Sequence, residues 1–310
     1  MLRSLLAIAL ASVALPAWAA PPRVVTDIAA VHSLVSRVME GVGEPELLIP
    51  AGASPHFYAL KPSDARKLRD AQIVIKIGPQ LSPWMDRPLT SLARGAKRLR
   101  LMELPGTITL AARTGATFEP HMDHGDHHPD GEEGGHDHAH EAVDPHAWLD
   151  PENGKVWLPV IADALSELDP EHAAEYRANA RTGAAEIDKA MADTRATLAS
   201  VQDLNFIVFH DAYQYFEHRF GLRAAGAIAL SDASPPGPAR IAELRERVAA
   251  LKVTCALTEP QFDLDLVQTV FEGHDLKTAV VDPAGSGIPL GPDMYPDLIR
   301  SVGTALASCN

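Results

Sequence analysis

Apolar positions fall along this chain in two alternating rhythms, short β-branched runs and longer stretches at helical spacing. Residues 23–26 read as a strand. Residues 28–40 follow as a helix, with Ile28, Val31, Val35, Val38 and Met39 near one face. Residues 46–49 form a second strand-like run, and residues 62–71 a helix opened by Pro62-Ser63-Asp64. A third strand over 73–77 is stopped by Gly78-Pro79. A helix over 84–94 and a strand near 98–102 complete a first lobe.

From residue 153 to 200 no strand signal occurs. A helix runs to Glu167, Asp169-Pro170 breaks it, and one long helix follows. At some 30 residues it would extend about 45 Å, more than one lobe needs, so it can cross between two. The alternation then resumes with a strand at 206–209, a helix from Asp211, and a strand within 222–230. A helix at 238–251, strands at 253–257 and 277–281 around a helix at 264–272, and a closing helix at 293–307 finish the chain. The predicted class is α/β, with two lobes, each a mainly parallel sheet covered by helices, joined by a long linking helix. The boundaries that follow are 20–150 for the N-terminal lobe, 151–200 for the helical segment and 201–310 for the C-terminal lobe.

The first residues stand outside this scheme. Arg3, an apolar run over 5–15 and the small-x-small Ala17-Trp18-Ala19 form a signal peptide, with cleavage near Ala19 or Ala20. The run is short for a span of about 20 residues, and no cysteine follows the cleavage site to carry a lipid. A secreted, periplasmic chain without stable membrane insertion is therefore expected. The formal charge of −14 disfavours nucleic acid and mildly attracts cations. In an oxidising compartment the two cysteines, Cys255 and Cys309, suit a single disulfide. Two free thiols, one in a strand and one at the tail, are the alternative.

Candidate chemistry lies in the histidines. Residues 120–143 hold His121, His124, His127, His128, His136, His138 and His140 among Asp, Glu and Gly, with almost nothing apolar to bury. Such a tract is expected to be disordered and to interact weakly with metal. Elsewhere four polar residues are sharply placed. His56 follows the second strand, His146 precedes a helix, His210 directly follows residues 206–209, and Asp282 directly follows 277–281. Three of the four leave strands at their C-terminal ends, where open α/β sheets place ligand sites. Taken singly each is an ordinary turn or surface residue. Together, two from each lobe, they make three nitrogens and one oxygen suited to tetrahedral zinc. Asp144 and Glu259 are candidates to hold the far nitrogen of a ligating imidazole. His32, His172, His218 and His274 have no supporting motif and read as surface or helix residues.

The motifs Ala53-Ser54-Pro55-His56-Phe57-Tyr58, Asp144-Pro145-His146-Ala147-Trp148-Leu149, Phe209-His210-Asp211-Ala212-Tyr213, Thr258-Glu259-Pro260-Gln261-Phe262 and Asp282-Pro283 resemble, in order, those of the metal-binding substrate-binding proteins of ABC transporters, cluster A-I. Within that family, the His-rich loop and the Thr258-to-Phe262 motif resemble the zinc-uptake, ZnuA-type members. The resemblance implies a two-lobed fold with a linking helix, a zinc site on His56, His146 and His210, and Asp282 as a conditional fourth ligand. It also implies zinc as cargo and delivery to an inner-membrane permease with a cytoplasmic ATPase. A monomer is expected. Histidine rather than glutamate at position 210 favours zinc over manganese on ligand softness.

Other readings remain open at this stage. One is a binding protein for manganese or another divalent ion. A soluble zinc buffer or chaperone would make the loop the function. A zinc hydrolase would need a general base, and no His-Glu-x-x-His or Gly-x-Ser-x-Gly occurs.

Overall fold

The computed structural model describes residues 20–113, 118, 142–229, 237–261, 267, 271 and 276–310. The predicted signal peptide, the histidines of the 120–143 tract, Phe262 and His274 lie outside the described residues, as does most of the 264–272 helix. No helix among the described residues is long and apolar enough to cross a membrane.

Two four-stranded parallel sheets organise the chain. In the first, β1 (Val24–Thr26) is followed by α1 (Ala29–Val38), β2 (Glu46–Leu47), α2 (Pro62–Asp70), β3 (Ile73–Lys76), α3 (Asp86–Leu92) and β4 (Lys97–Arg100). Spatial order is β2-β1-β3-β4, every pair parallel. All four residues of β3 are buried, as expected of a strand covered on both faces. Lys76 is tolerated there because its Nζ meets the Asp86 carboxylate at 2.8 Å.

The second sheet repeats the plan. It runs through β5 (Phe206–His210), α6 (Gln214–Phe220), β6 (Ala224–Ala229), α7 (Pro238–Leu251), β7 (Cys255–Thr258) and β8 (Lys277–Val280), in spatial order β6-β5-β7-β8. In both sheets the chain steps to one side of the first strand and then crosses to the other. That reversal opens a crevice at the C-terminal ends of the two central strands.

Between the sheets lie α4 (Pro151–Leu168) and α5 (Ala173–Leu198), separated by the break at Asp169 and a single turn at Pro170–His172. At 26 residues, α5 is about 39 Å long. Its first half meets the first lobe, where Asn179 donates to the carbonyls of Val38 and Glu40. Its second half meets α8 (Met294–Ala307), where Asp193 pairs with Arg300 at 3.0 Å. Arg37 of α1 reaches Asp293 at the start of α8 at 2.9 Å. Most of the buried apolar residues of both lobes and these helices form one continuous core. At the crossing of α4 and α8, a Cβ on Gly154 would stand 2.7 Å from the Tyr295 ring, so glycine permits that approach. Cys255 and Cys309 form a disulfide that fixes the end of α8 to β7.

Some predicted boundaries move. The helix expected from Asp211 begins at Gln214, because the Ala212 N–H turns back to the His210 carbonyl. The strand near 98–102 ends at Arg100 and tightens into a turn over Leu101–Glu103.

Candidate metal centre

Three loops and one strand end converge between the lobes. His210 is the last residue of β5, buried at the point where the second sheet reverses direction. Directly across that reversal, Glu259 follows β7, fully enclosed, and its Oε1 lies 2.5 Å from Nδ1 of His210. A carboxylate can only accept in such a pair, so Nδ1 carries the proton and Nε2 keeps its lone pair for an ion. The outer oxygen of Glu259 accepts from the Gln261 amide at 2.8 Å.

His146 is held the same way. It is also buried, at the start of the turn Ala147–Leu149 that leads into α4. Asp144 Oδ1 accepts both the His146 backbone N–H at 2.9 Å and Nδ1–H at 2.8 Å. Burial pushes the Asp144 carboxyl up to about 7, opposed by the His146 N–H and by the positive charge of Arg113 and of His210 and His56 when protonated. The Tyr215 hydroxyl donates to the Asp144 carbonyl at 2.8 Å, fixing this segment against α6.

His56 comes from the loop after β2 and is half-buried. Its placement depends on the preceding Pro55, whose carbonyl accepts from Ser82 Oγ at 3.0 Å and Trp84 Nε1 at 2.9 Å.

The rings of His56 and His146 lie 5.4 Å apart between centroids, and those of His146 and His210 5.3 Å apart, each pair tilted by 65°. An ion bound tetrahedrally at 2.0–2.1 Å by imidazole nitrogens would hold ring centroids about 5.2 Å apart. Among the described residues, no group of three or more His, Cys, Asp or Glu side chains is placed, as it stands, to hold a metal ion. The centroid separations alone match that spacing. All three line a cavity of about 230 Å³, with Trp148, Gln261 and Pro283. The wall crosses the lobes, since Trp148 Nε1 donates to the Pro283 carbonyl at 2.9 Å.

Asp282 stands beside this cavity and is engaged by its own loop. Its Oδ1 accepts from Ala284 N–H at 2.9 Å, and its Oδ2 from Ser286 N–H at 2.6 Å and Ser286 Oγ at 2.5 Å. To reach an ion it would have to exchange these bonds.

Sequence reasoning missed Arg113, which carries no motif signal. Its guanidinium spans Asp211, the neighbour of His210, and Glu217 of α6. Burial raises the Asp211 carboxyl even so, with the Arg113 charge opposing. Past Arg113 the chain leaves for the His-rich tract, and it returns through an antiparallel bridge of Ala111 with Val143. Both stems of the tract thus sit next to the ligand-bearing segments. Of the other histidines, His32 donates from Nε2 to the Pro45 carbonyl at 3.1 Å and His172 pairs with Asp169 at 2.7 Å, and neither lines the cavity.

Comparison with known proteins adds a family. The family model described as "ZnuA: Zinc-uptake complex component A periplasmic" matches residues 24–309. The chain is 42% identical over 304 residues to the high-affinity zinc uptake system protein ZnuA of Brucella abortus, covering 92% of this chain and 91% of that protein. It is also 42% identical over 333 aligned residues to the protein of the same name from Paracoccus denitrificans, covering 98% and 96%. Among solved structures, one described as the crystal structure of ZnuA superposes with a TM-score of 0.74 at 19% identity, covering 93% of this chain and 98% of that chain.

Proposed function

The chain belongs to the family of ZnuA-type periplasmic zinc-uptake components, and from that premise we propose that it captures zinc on His56, His146 and His210 and delivers it to an inner-membrane ABC permease driven by a cytoplasmic ATPase. The observation that carries the ligand assignment is the pair of centroid separations, 5.4 and 5.3 Å, across residues drawn from both lobes. It is supported by two carboxylates that each hold an Nδ1 and so direct an Nε2 toward the cavity.

Zinc is the cargo that suits this donor set. Three neutral imidazoles favour zinc over a harder ion such as manganese, and Cu(II) is kept away by supply and geometry rather than by donor type. Asp282 acts as a conditional fourth ligand, with water as its substitute while the loop bonds hold. Binding ligands from both lobes lets the ion brace them against each other, which stabilises the loaded form by mass action.

The chain is a binding protein rather than an enzyme. Asp144 and Glu259, the carboxylates nearest the imidazoles, are committed to Nδ1 atoms behind the cavity, so neither is placed as a base for a metal-bound water. Residues 1–19 direct export and are cleaved near Ala19 or Ala20. The periplasmic product works as a monomer, and the seven histidines between His121 and His140 collect zinc weakly beside the cleft.

The test is zinc titration in competition with a chelator, on protein lacking residues 121–140 so that weak sites do not mask the tight one. His56→Ala, His146→Ala and His210→Ala should each abolish tight binding. Unchanged affinity in His146→Ala or His210→Ala would overturn the assignment. Loss of the tight site on deleting the loop alone would favour a zinc buffer instead.

A further inference from the structure

Asp282 is turned aside from the cavity by its own loop. Pro283 and Ala284, which follow it, line the cavity beside the three imidazoles, whereas Asp282 does not. Its Oδ1 accepts from Ala284 N–H at 2.9 Å, and its Oδ2 from Ser286 N–H at 2.6 Å and Ser286 Oγ at 2.5 Å. Both oxygens are thus engaged by donors no more than four residues along the chain.

The backbone around this carboxylate is pinned. The Trp148 indole N–H holds the Pro283 carbonyl at 2.9 Å. Within the loop, Gly285 N–H donates to the Asp282 carbonyl at 3.1 Å, and Ile288 N–H to the Gly285 carbonyl at 3.0 Å. Gly285 takes a φ of 65°, a left-handed conformation that glycine adopts without strain, and so carries the chain back toward Asp282. From the other lobe, Gly52, in the segment leading to His56, comes so near that a Cβ on it would stand 3.6 Å from Ser286 Cβ. A loop held in this way does not carry Asp282 to an ion as a body. The carboxylate arrives only by turning its side chain and giving up its bonds. Of its three donors, two are backbone N–H groups that nearly any residue supplies. The Ser286 hydroxyl is the one that depends on the sequence.

Which atoms an ion meets depends on these bonds. Three imidazole nitrogens and a water suit zinc, whereas an added carboxylate oxygen shifts a site toward harder ions such as manganese. Building on the ligand assignment above, we propose that Ser286 is a specificity-determining residue: its hydroxyl keeps the Asp282 carboxylate out of the coordination shell and so disfavours manganese against zinc.

Ser286→Ala removes the hydroxyl and keeps both N–H donors, and the position is exposed, so the fold should survive. Releasing one hydrogen bond to a charged group should raise manganese affinity about tenfold, the low end of what such a bond is worth. Zinc affinity should rise by a smaller factor, so the zinc-to-manganese ratio falls. Asp282→Asn, whose amide oxygen is a weaker ligand, should remove that gain when combined with Ser286→Ala. Ser286→Thr retains a hydroxyl and should retain the parental ratio. A serine that merely stiffened its loop would lower thermal stability in Ser286→Ala and leave the ratio alone.

The experiment uses the full chain. Zinc affinity is measured by competition with a chelator strong enough to keep weaker sites empty, and manganese affinity by competition against zinc at the same tight site. The variants are Ser286→Ala, Ser286→Thr, Asp282→Asn and the Ser286→Ala, Asp282→Asn pair, with His210→Ala alongside. A lower zinc-to-manganese ratio in Ser286→Ala, restored in Ser286→Thr and in the pair, is the expected result. An unchanged ratio in Ser286→Ala, with His210→Ala still abolishing tight zinc binding, would overturn the role of Ser286 while sparing the ligand assignment. A gain that persists in the pair would overturn it too, because the carboxylate would not be its source. Retained tight binding in His210→Ala would instead overturn the ligand assignment, and this role with it.

Discussion

Replacing Asp144 with asparagine tests how the site is built. The carboxylate is 2% exposed, and one of its oxygens takes two bonds from His146, at 2.9 Å from the backbone and 2.8 Å from Nδ1. Asparagine keeps the shape, and its carbonyl can still accept, but the charge that strengthens both bonds and polarises the ring is gone. Loss of such an outer partner typically weakens a metal site about 10–100-fold, which corresponds to about 1.4–2.7 kcal/mol. Stability without zinc should move the other way. Burial holds the Asp144 carboxyl at about 7, above its unfolded value. The folded state therefore binds more protons than the unfolded one between the two, and stability from this group falls as pH rises through that window. A neutral amide avoids that loss, so Asp144→Asn at pH 7.5 should unfold no earlier than the parent in the absence of zinc. Chelator competition gives the affinity, and thermal scans with and without zinc separate the two effects. Asp169→Asn, at the similar but remote pair with His172, serves as the control and should leave zinc affinity unchanged. Parental affinity in Asp144→Asn would refute the idea that the carboxylate sets the orientation and basicity of His146.

Asp27 offers a pH test away from the ligands. Burial raises its carboxyl to about 6 against N–H bonds from Ile77 and Ile28 and the charge of Lys76, so its contribution should fall by up to about 3 kcal/mol as pH rises from 4 to 6. Denaturant unfolding across that range should show a flatter difference for Asp27→Asn, and an unchanged slope would contradict it. The Cys255–Cys309 bond spans 54 residues, so reduction, or Cys255→Ser with Cys309→Ser, should cost about 4 kcal/mol in the chain-entropy account, read as a lower denaturation midpoint. Deleting residues 121–140 should lower zinc stoichiometry and leave one tight site, measured by calorimetry. Across all loop-deleted proteins, zinc affinity should decline as pH drops through the imidazole range near 6.5, because each ligand must lose its proton first.

Much of this arrangement was legible in the residues. Runs such as Ile73-Val74-Ile75 and Phe206-Ile207-Val208-Phe209 are apolar on both faces, which only a covered parallel strand explains, and their order sets the two sheets. His210 was legible as a strand-end residue and Glu259 as a candidate partner of a ligating imidazole, and the reversal of strand order between β5 and β7 places them side by side. The break at Asp169-Pro170 marked the start of the long helix. What stayed hidden depends on contacts across long separations. Nothing local reveals that Arg113 bridges Asp211 and Glu217 or that the Trp148 indole reaches Pro283. Asp282 shows the converse difficulty. Its place after a strand marks it as a ligand, while the structure gives its oxygens to Ala284 and Ser286, a competition that short-range pattern does not show.

The proposed capture places one zinc ion among three imidazoles drawn from both lobes. A crystal structure of the zinc-loaded protein with anomalous data collected on both sides of the zinc edge tests it most directly. A single strong zinc peak is expected at about 2.0–2.1 Å from nitrogens of His56, His146 and His210, with water or Asp282 completing the shell. A principal zinc peak elsewhere, or one bound by fewer than two of these histidines, would contradict it.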